Sequence, residues 1–562
     1  MAHRVRRPAL KLPVAVAVAS ALALPVAFRP IFDGDAGWHL AVGRLIAQGR
    51  FPRTNALAWT AADEPWYPTS WLFDRVAFQL DAALGPLGLQ LLVAALVLVA
   101  LIGWAFALRS ADPELGVWLL PAGALLLVPR ITHRPHVATW GALAIVTALG
   151  LAGRGGSARH RWAMAPVIAL FGNLHAGAGF AAGVAGFFCL EELVRTRRKQ
   201  EILAAAACGL ALLANPGAIF NVGYLFDHLR VQSVVSLVEF LPATFARLPL
   251  LWILTPLALL AGLLTRGRIG WALTASFAVL AALGFRSNRV GTDAFVCALP
   301  LLAAGLAALR PGLGPRAPAL LTVLAMLGVA LAIQFGQWLP PVFSASWNEE
   351  RLPVRAAAFA KAAGLAGRRF NAFSDGGYLE HALPDQPSFA DGRVQAYPES
   401  FWKRFQAAER TPAGLRAWLD ELGVDWAIAL RRSERLAGFS SFDDPKWALV
   451  HWDLTSEVWI RRERPALAAA VARFEFKHFR PYGSIVAQLG SLQRSAIAPF
   501  LAEVDRYAAT SPEDPLPHLV RCGLAVRAGN ALAGPLCDRA EATGSPLVLA
   551  LLPRARTLAV AP

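Results

Sequence analysis

At 562 residues, 56% hydrophobic and only 16% charged, with a mean hydropathy of +0.46, the chain carries far more apolar length than a soluble domain needs. The net charge of +16 would suit a nucleic-acid binder, but the arginines fall mainly in short loops between apolar runs, where they set membrane topology instead. Nucleic acid is therefore excluded as a partner, and the surplus suits an anionic lipid surface or a phosphate-bearing substrate.

The first apolar run spans 12–30, behind Arg4, Arg6, Arg7 and Lys11. It reads as a retained anchor, or as a secretory signal cleaved after Ala21-Leu22-Ala23. Its continuation almost into Asp33 favours the anchor. The first loop, 31–86, opens with Asp33-Gly34-Asp35-Ala36-Gly37-Trp38-His39 and continues through Trp59, Trp66 and Trp71. Two carboxylates one residue apart at the edge of hydrocarbon are expensive to keep. This loop is the first candidate for chemistry.

Further spans are predicted near 87–108, 116–129, 137–153, 163–172, 177–193, 202–214, 249–265, 269–285, 292–308 and 318–336. The arginine-rich connections 1–11, 154–161, 195–199, 266–268 and 310–316 then lie in the cytoplasm. That gives about eleven crossings, several of them short for the ~30 Å hydrocarbon core. The N-terminus is cytoplasmic in this reading, and everything after 337 is extracytoplasmic. Asp33 and Asp35, His133-Arg134-Pro135-His136, Asn173-Leu174-His175, Asn215-Pro216-Gly217, Asp227-His228, Glu239, Arg286 and Arg289 all fall on the extracytoplasmic side.

Beyond residue 340 the hydropathy drops. Residues 351–364 predict a helix, Arg369–Ser374 a strand and Asp375-Gly376-Gly377 a turn. A helix ends at Trp418–Leu422, Val424–Leu430 is a buried strand, and Trp447–Trp452 with Val458–Arg461 form a hairpin. The expected domains are a membrane domain at 1–340, a small α/β domain at 341–465 and a helical segment at 466–562. Ser511-Pro512-Glu513-Asp514-Pro515 and Gly529-Asn530 bracket a helical pair like one tetratricopeptide hairpin, a surface for a protein partner. Cys189, Cys208 and Cys297 sit in apolar spans as small hydrophobes. Cys522 and Cys537 would pair if their region is extracytoplasmic.

Taken in order, the Asp-x-Asp-x-Gly-Trp-His loop, Asn173-Leu174-His175, Asn215-Pro216-Gly217, Arg286 with Arg289, Asp375-Gly376-Gly377-Tyr378 and Phe389-Ala390-Asp391-Gly392-Arg393 resemble bacterial members of the GT-C glycosyltransferase superfamily. That superfamily holds protein mannosyltransferases, aminoarabinose transferases and oligosaccharyltransferases. The resemblance covers roughly residues 1–460. It implies a polytopic α-helical membrane protein of the bacterial inner membrane, a polyprenyl-phosphate sugar donor, inversion at the anomeric carbon, and a lipid, glycan or protein acceptor.

Such a transfer needs a base, stabilisation of an oxocarbenium-like centre and neutralisation of the departing phosphate. Asp35 is the first candidate for base and Asp33 the second, against the competing role of capping the helix that begins near Ala36. His39, one turn on, orients the acid or touches substrate. Arg286 and Arg289 form a bidentate phosphate clamp, or else salt bridges to Asp293 or the loop acids. His133 and Arg134 are a second cationic pair for the phosphate. Asn173, His175, Trp66 and Glu239 are candidates for holding substrate, with helix packing and an interfacial aromatic belt as the ordinary alternatives. No cofactor or metal is required by any spacing, although Asp33, Asp35 and Glu239 would suit a divalent cation. The competing functions are a transporter or flippase for lipid-linked sugars, which should show internal repeats of its spans, and an inactive membrane scaffold.

Overall fold

A computed structural model of the protein describes residues 12–113, 115–156, 158–220, 223, 240–313, 328, 343–431, 442–480 and 485–559. The chain divides into two compact units. The first holds residues 1–55, 63–346 and 393–399, and the second holds 56–62, 347–392 and 400–562. A short piece of the first loop thus belongs to the second unit, and a short piece between the β1 and β2 residues, 393–399, belongs to the first.

In the first unit every predicted span through residue 308 is occupied by helix. These are α1 (Leu12–Ala27), α4 (Pro86–Ala111), α5 (Leu115–Leu127), α6 (Val137–Gly153), α8 (Met164–Leu174), α9 (Ala178–Thr196), α10 (Gln200–Ala211), α11 (Pro249–Leu264), α12 (Ala272–Arg286) and α13 (Asn288–Leu313). Between them lie the loop helices α2 (Asp35–Ala47) and α3 (Trp71–Leu84) and short turns such as α7 (Arg159–Trp162) and Arg266–Ile269. Among the described residues, Pro86–Ala111 and Asn288–Leu309 are long and apolar enough to cross a membrane, while the other apolar helices are shorter. Large apolar side chains such as Phe106, Leu203, Leu210 and Leu264 stand exposed on these helices, as a surface facing lipid requires. The predicted span 318–336, with Asp227, His228 and Glu239, lies outside the described residues.

Two helix contacts prepare the site. α2 and α3 pack closely because residue 43 is glycine: a Cβ there would stand 2.0 Å from the carbonyl oxygen of Asp74. Asn173 and Asn215 tie the ends of α8 and α10 together. Asn173 donates to the Ala214 carbonyl (2.6 Å) and Asn215 to that of Gly172 (3.2 Å).

The second unit holds a four-stranded sheet of β1 (Arg369–Asn371), β2 (Trp426–Leu430), β3 (Trp447–Trp452) and β4 (Ser456–Arg461), in the order β1-β2-β4-β3. β1 runs parallel to β2, and the other pairings are antiparallel. One face packs Trp426, Ile428, Val450 and Ile460 against Ala356, Ala357 and Ala360 of α14 (Val354–Ala362). The predicted strand at 369–374 stops at Asn371, and the predicted turn at Asp375-Gly376-Gly377 instead starts α15 (Gly376–Ala382). Glycine is needed at 376 for a different reason: a Cβ would lie 2.0 Å from the Ala390 carbonyl oxygen. Residues 56–62 add to this unit, with Trp59 donating its backbone N–H to Ser388 and its indole N–H to the Arg369 carbonyl, each at 3.0 Å. After residue 466 the unit is helical, and Cys522 and Cys537, on Leu516–Arg527 and Ala533–Ala542, form a disulfide.

Candidate functional site

The site begins where α2 begins. The Asp33 carboxylate accepts the Asp35 backbone N–H at 3.1 Å, which satisfies an end group of the helix and places negative charge at its positive pole. Both acids converge on one guanidinium. Arg134 reaches the Asp33 carboxylate through Nε at 2.5 Å and Nη2 at 2.7 Å, and Nη2 also lies 2.8 Å from Asp35. Asp33 thus stands just ahead of the cap residue Gly34 and holds the first N–H of α2, and Arg134, expected on a phosphate, is the bridge between the two aspartates. All three remain partly exposed, at 11%, 19% and 23% for Asp33, Asp35 and Arg134.

Behind them lies a layer that sequence reasoning missed in part. His39 Nδ1 stands 2.6 Å from Asp74 Oδ1, with both side chains buried. Burial holds the His39 imidazole well below the ordinary range, and the charges of Arg134, His175, Arg393 and Arg289 add to that. Burial raises the Asp74 carboxyl, and Arg393 partly offsets the rise. The ring of His39 is flanked by Trp38 at 3.5 Å and Phe73 at 5.5 Å between centroids. Arg393 lies over Trp66 at 4.7 Å and Trp38 at 5.9 Å, cation–π distances that also roof the layer. The tryptophans of the first loop do not form one stacking cluster. Trp66 lies under Arg393, Trp71 donates to Asn173 Oδ1 at 2.5 Å, and Trp59 belongs to the second unit.

A cavity of about 410 Å³ opens among α6, α9, α12 and α13. One end is lined by Arg130, His136, His175, Arg286, Arg289 and Asp293, and the wall is built from Phe180, Val184, Phe187, Leu280 and Leu283. Gly179 and Gly183 line it too, with open space where their side chains would be. His175 accepts the Gly177 N–H at 3.1 Å through Nδ1, which also lies 2.7 Å from the Thr139 hydroxyl. Its proton is therefore on Nε2. Arg286 is exposed and makes no ion pair among the described residues. Asp293 receives the Trp140 indole N–H at 2.9 Å, so it is already partly engaged.

Other predicted site residues have structural partners. Asn173 spends its amide on the Ala169 and Ala214 carbonyls and its oxygen on Trp71. His133 is buried, donates from Nε2 to the Ala27 carbonyl at 2.9 Å, and is depressed by burial. A neutral, buried ring adds no cation for a phosphate. Glu239 lies outside the described residues. No group of three His, Cys, Asp or Glu side chains among the described residues is placed to hold a metal ion. The acids suggested for a cation are bridged by Arg134 instead.

No family model matches the sequence, and none of the curated proteins is similar to it. Among solved structures, one match is the oligosaccharyltransferase AglB from Archaeoglobus fulgidus in complex with an inhibitory peptide and a dolichol-phosphate. It has a TM-score of 0.56 at 11% identity, over 75% of this chain and 69% of that one. The Archaeoglobus fulgidus oligosaccharyltransferase tethered to an acceptor peptide matches with a TM-score of 0.53 at 11% identity, over 75% of this chain and 68% of that chain. The chain has a GT-C-type fold. ArnT from Cupriavidus metallidurans in the apo state also matches, at 14% identity over 80% of this chain and 97% of that one, with a TM-score of 0.49.

Proposed function

We propose that this chain is an inner-membrane glycosyltransferase that moves a sugar from a polyprenyl-phosphate donor to an extracytoplasmic lipid, glycan or protein. The observation that carries the reading is the cavity, with three arginines and two histidines at one end of an apolar channel. That gradient matches a phosphate head on an isoprenoid tail, and few other small ligands combine the two. The solved structures of similar fold support it, one with dolichol-phosphate and one with an acceptor peptide. The membrane assignment carries about eleven spans, with the N-terminus cytoplasmic and the second unit extracytoplasmic. Impermeant labelling of single cysteines should then reach positions 60 and 400 in intact cells but not position 160.

In the proposed reaction the acceptor hydroxyl or amide attacks the anomeric carbon from the face opposite the phosphate, and its proton passes to Asp35. The bond from the anomeric carbon to the phosphate oxygen breaks, and its electron pair stays on that oxygen. The lipid phosphate goes from one negative charge to nearly two. Arg286 and Arg289 therefore hold the departing group more strongly than the bound donor, which is the condition for accelerating the step. Asp33 and Arg134 keep Asp35 placed, and His175 Nε2–H faces the sugar.

The test is a profile of lipid-linked and surface glycans in cells with and without the protein. Loss of one glycan product with accumulation of its polyprenyl-linked precursor is expected. Identical profiles under conditions in which the protein is made would overturn the assignment.

A further inference from the structure

The contact between α2 and α3 carries a feature that fold stability does not require. Gly43 brings α3 close to α2 at the backbone of Asp74 itself, and four residues earlier His39 meets the Asp74 side chain at 2.6 Å. Positions 35, 39 and 43 share one face of a helix. The same face thus presents Asp35, then the imidazole, then the close approach that fixes the imidazole's partner.

The pair is expensive as packing. Asp74 is fully buried, and its second oxygen, Oδ2, has no hydrogen-bond partner among the described residues. An unsatisfied buried carboxylate oxygen forfeits free energy that an apolar pair of equal shape would keep. The groups facing His39 are Asp74 from α3, Arg134 from the connection before α6, His175 from the connection before α9, Arg289 from α13 and Arg393. Arg134, the cation that weighs most on His39, is also the one that holds Asp35 at 2.8 Å.

We infer that Asp74 is a positioning residue, which holds His39 through Nδ1–H and so fixes the orientation and tautomer of the ring one helical turn from Asp35. This rests on the glycosyl-transfer reading and deepens it. Burial and the surrounding arginines keep His39 neutral, so the ring carries one proton and its partner decides which nitrogen holds it.

The test uses full-length protein and two readouts. The first is restoration of the missing glycan in cells lacking the protein, at matched protein levels. Wild type should restore it, Asp74→Asn should restore at least about tenfold less, and Asp74→Glu should restore more than Asp74→Asn. The second is the ¹⁵N spectrum of histidine-labelled purified protein, with the His39 signal identified by its loss in His39→Gln. Wild type at neutral pH should show His39 neutral with its proton on Nδ1, and Asp74→Asn should shift that tautomer. A deletion that leaves all glycans unchanged refutes the transferase reading, and the spectrum still decides whether Asp74 sets the tautomer. A deletion phenotype fully restored by Asp74→Asn refutes the positioning role. If Asp74→Asn does not accumulate, a wild-type His39 signal with its proton on Nε2 refutes it equally.

Discussion

Two groups of arginines in the first unit behave in opposite ways. On the arginine-rich side, each buried carboxylate has its own guanidinium. Arg161 meets Glu201 with Nη2 2.9 Å from Oε1, Arg154 meets Glu191 at 2.9 Å, Arg195 meets Glu192 at 2.6 Å and Arg268 meets Asp112 at 2.8 Å. At the cavity, Arg130, Arg286 and Arg289 line the same space as His136, His175 and Asp293, and Asp293 also holds Trp140. The same residue type is matched to buried acids in one region and gathered beside an apolar wall in the other. Guanidiniums gathered beside an apolar wall suit an anionic amphiphile, whereas matched buried pairs serve the fold.

The comparison is sharpest at Asp35, where the largest change is expected. Asp35→Asn keeps the shape and removes the charge, so turnover should fall by about 10²–10⁴-fold with folding intact. The measurement is the rate of glycan formation at equal protein level. Near-normal turnover would leave Asp35 as a helix-end charge with the role Asp33 already fills.

Next comes the matched side. Arg161 is 2% exposed and Glu201 is fully buried, so Arg161→Ala strands a buried carboxylate. It should cost about 3–5 kcal/mol of stability. Arg286→Ala, at an exposed position without an ion pair among the described residues, should change stability by under about 1 kcal/mol. Thermal unfolding of both variants in detergent measures the contrast, and equal losses would erase the distinction between the two arginine groups.

A stability effect of intermediate size is expected in the second unit. Cys522 and Cys537 are separated by 15 residues, and a loop of that length predicts about 3 kcal/mol of stabilisation. Cys522→Ser should lower the melting temperature of the helical segment, and two free thiols in protein purified without reductant would contradict the bond.

The smallest effect is with pH. His39, His133 and His136 are all held below their ordinary value by burial. A histidine depressed in the folded state binds its proton more readily when unfolded. Its contribution is therefore intact above the unfolded value of about 6.5 and declines as pH falls beneath it. The melting temperature should drop between pH 7.5 and 5.5, and His133→Gln should reduce the drop. A flat profile would show that folding leaves the proton affinity of these rings unchanged.

The features legible in the sequence are those that local pattern determines. Apolar runs predict the helices of the first unit through residue 308, the hairpin of β3 and β4 follows from two short tryptophan-bearing apolar runs, and Cys522 faces Cys537 across a Gly529 turn with φ of 61°. Paired acids and paired arginines at span ends are also visible as residue types. Asp74 and Arg393 were not legible as site residues, because 35 residues of chain separate Asp74 from His39 and Arg393 joins the tryptophans only through tertiary packing. Gly43 was the available signal, since a glycine inside a helix marks close approach more often than a turn. Asp375-Gly376-Gly377 misled for the same reason, its first glycine being required by the Ala390 carbonyl rather than by backbone reversal. Arg134 was assigned to phosphate because cations at a span end look alike until their partners are known.

The account stands most directly on whether the arginine-lined cavity binds a lipid phosphate. Purified wild type, Arg289→Lys and Arg286→Ala should each be titrated with a polyprenyl phosphate while thermal stability is followed. Lys keeps the charge of Arg289 but loses the planar fork, so Arg289→Lys should bind the lipid about 1–3 kcal/mol more weakly. Wild type should show a saturable rise in melting temperature, displaced to higher lipid concentration in both variants. Equal, saturable stabilisation of all three proteins, or none of the wild type, would contradict the assignment of this cavity to the donor.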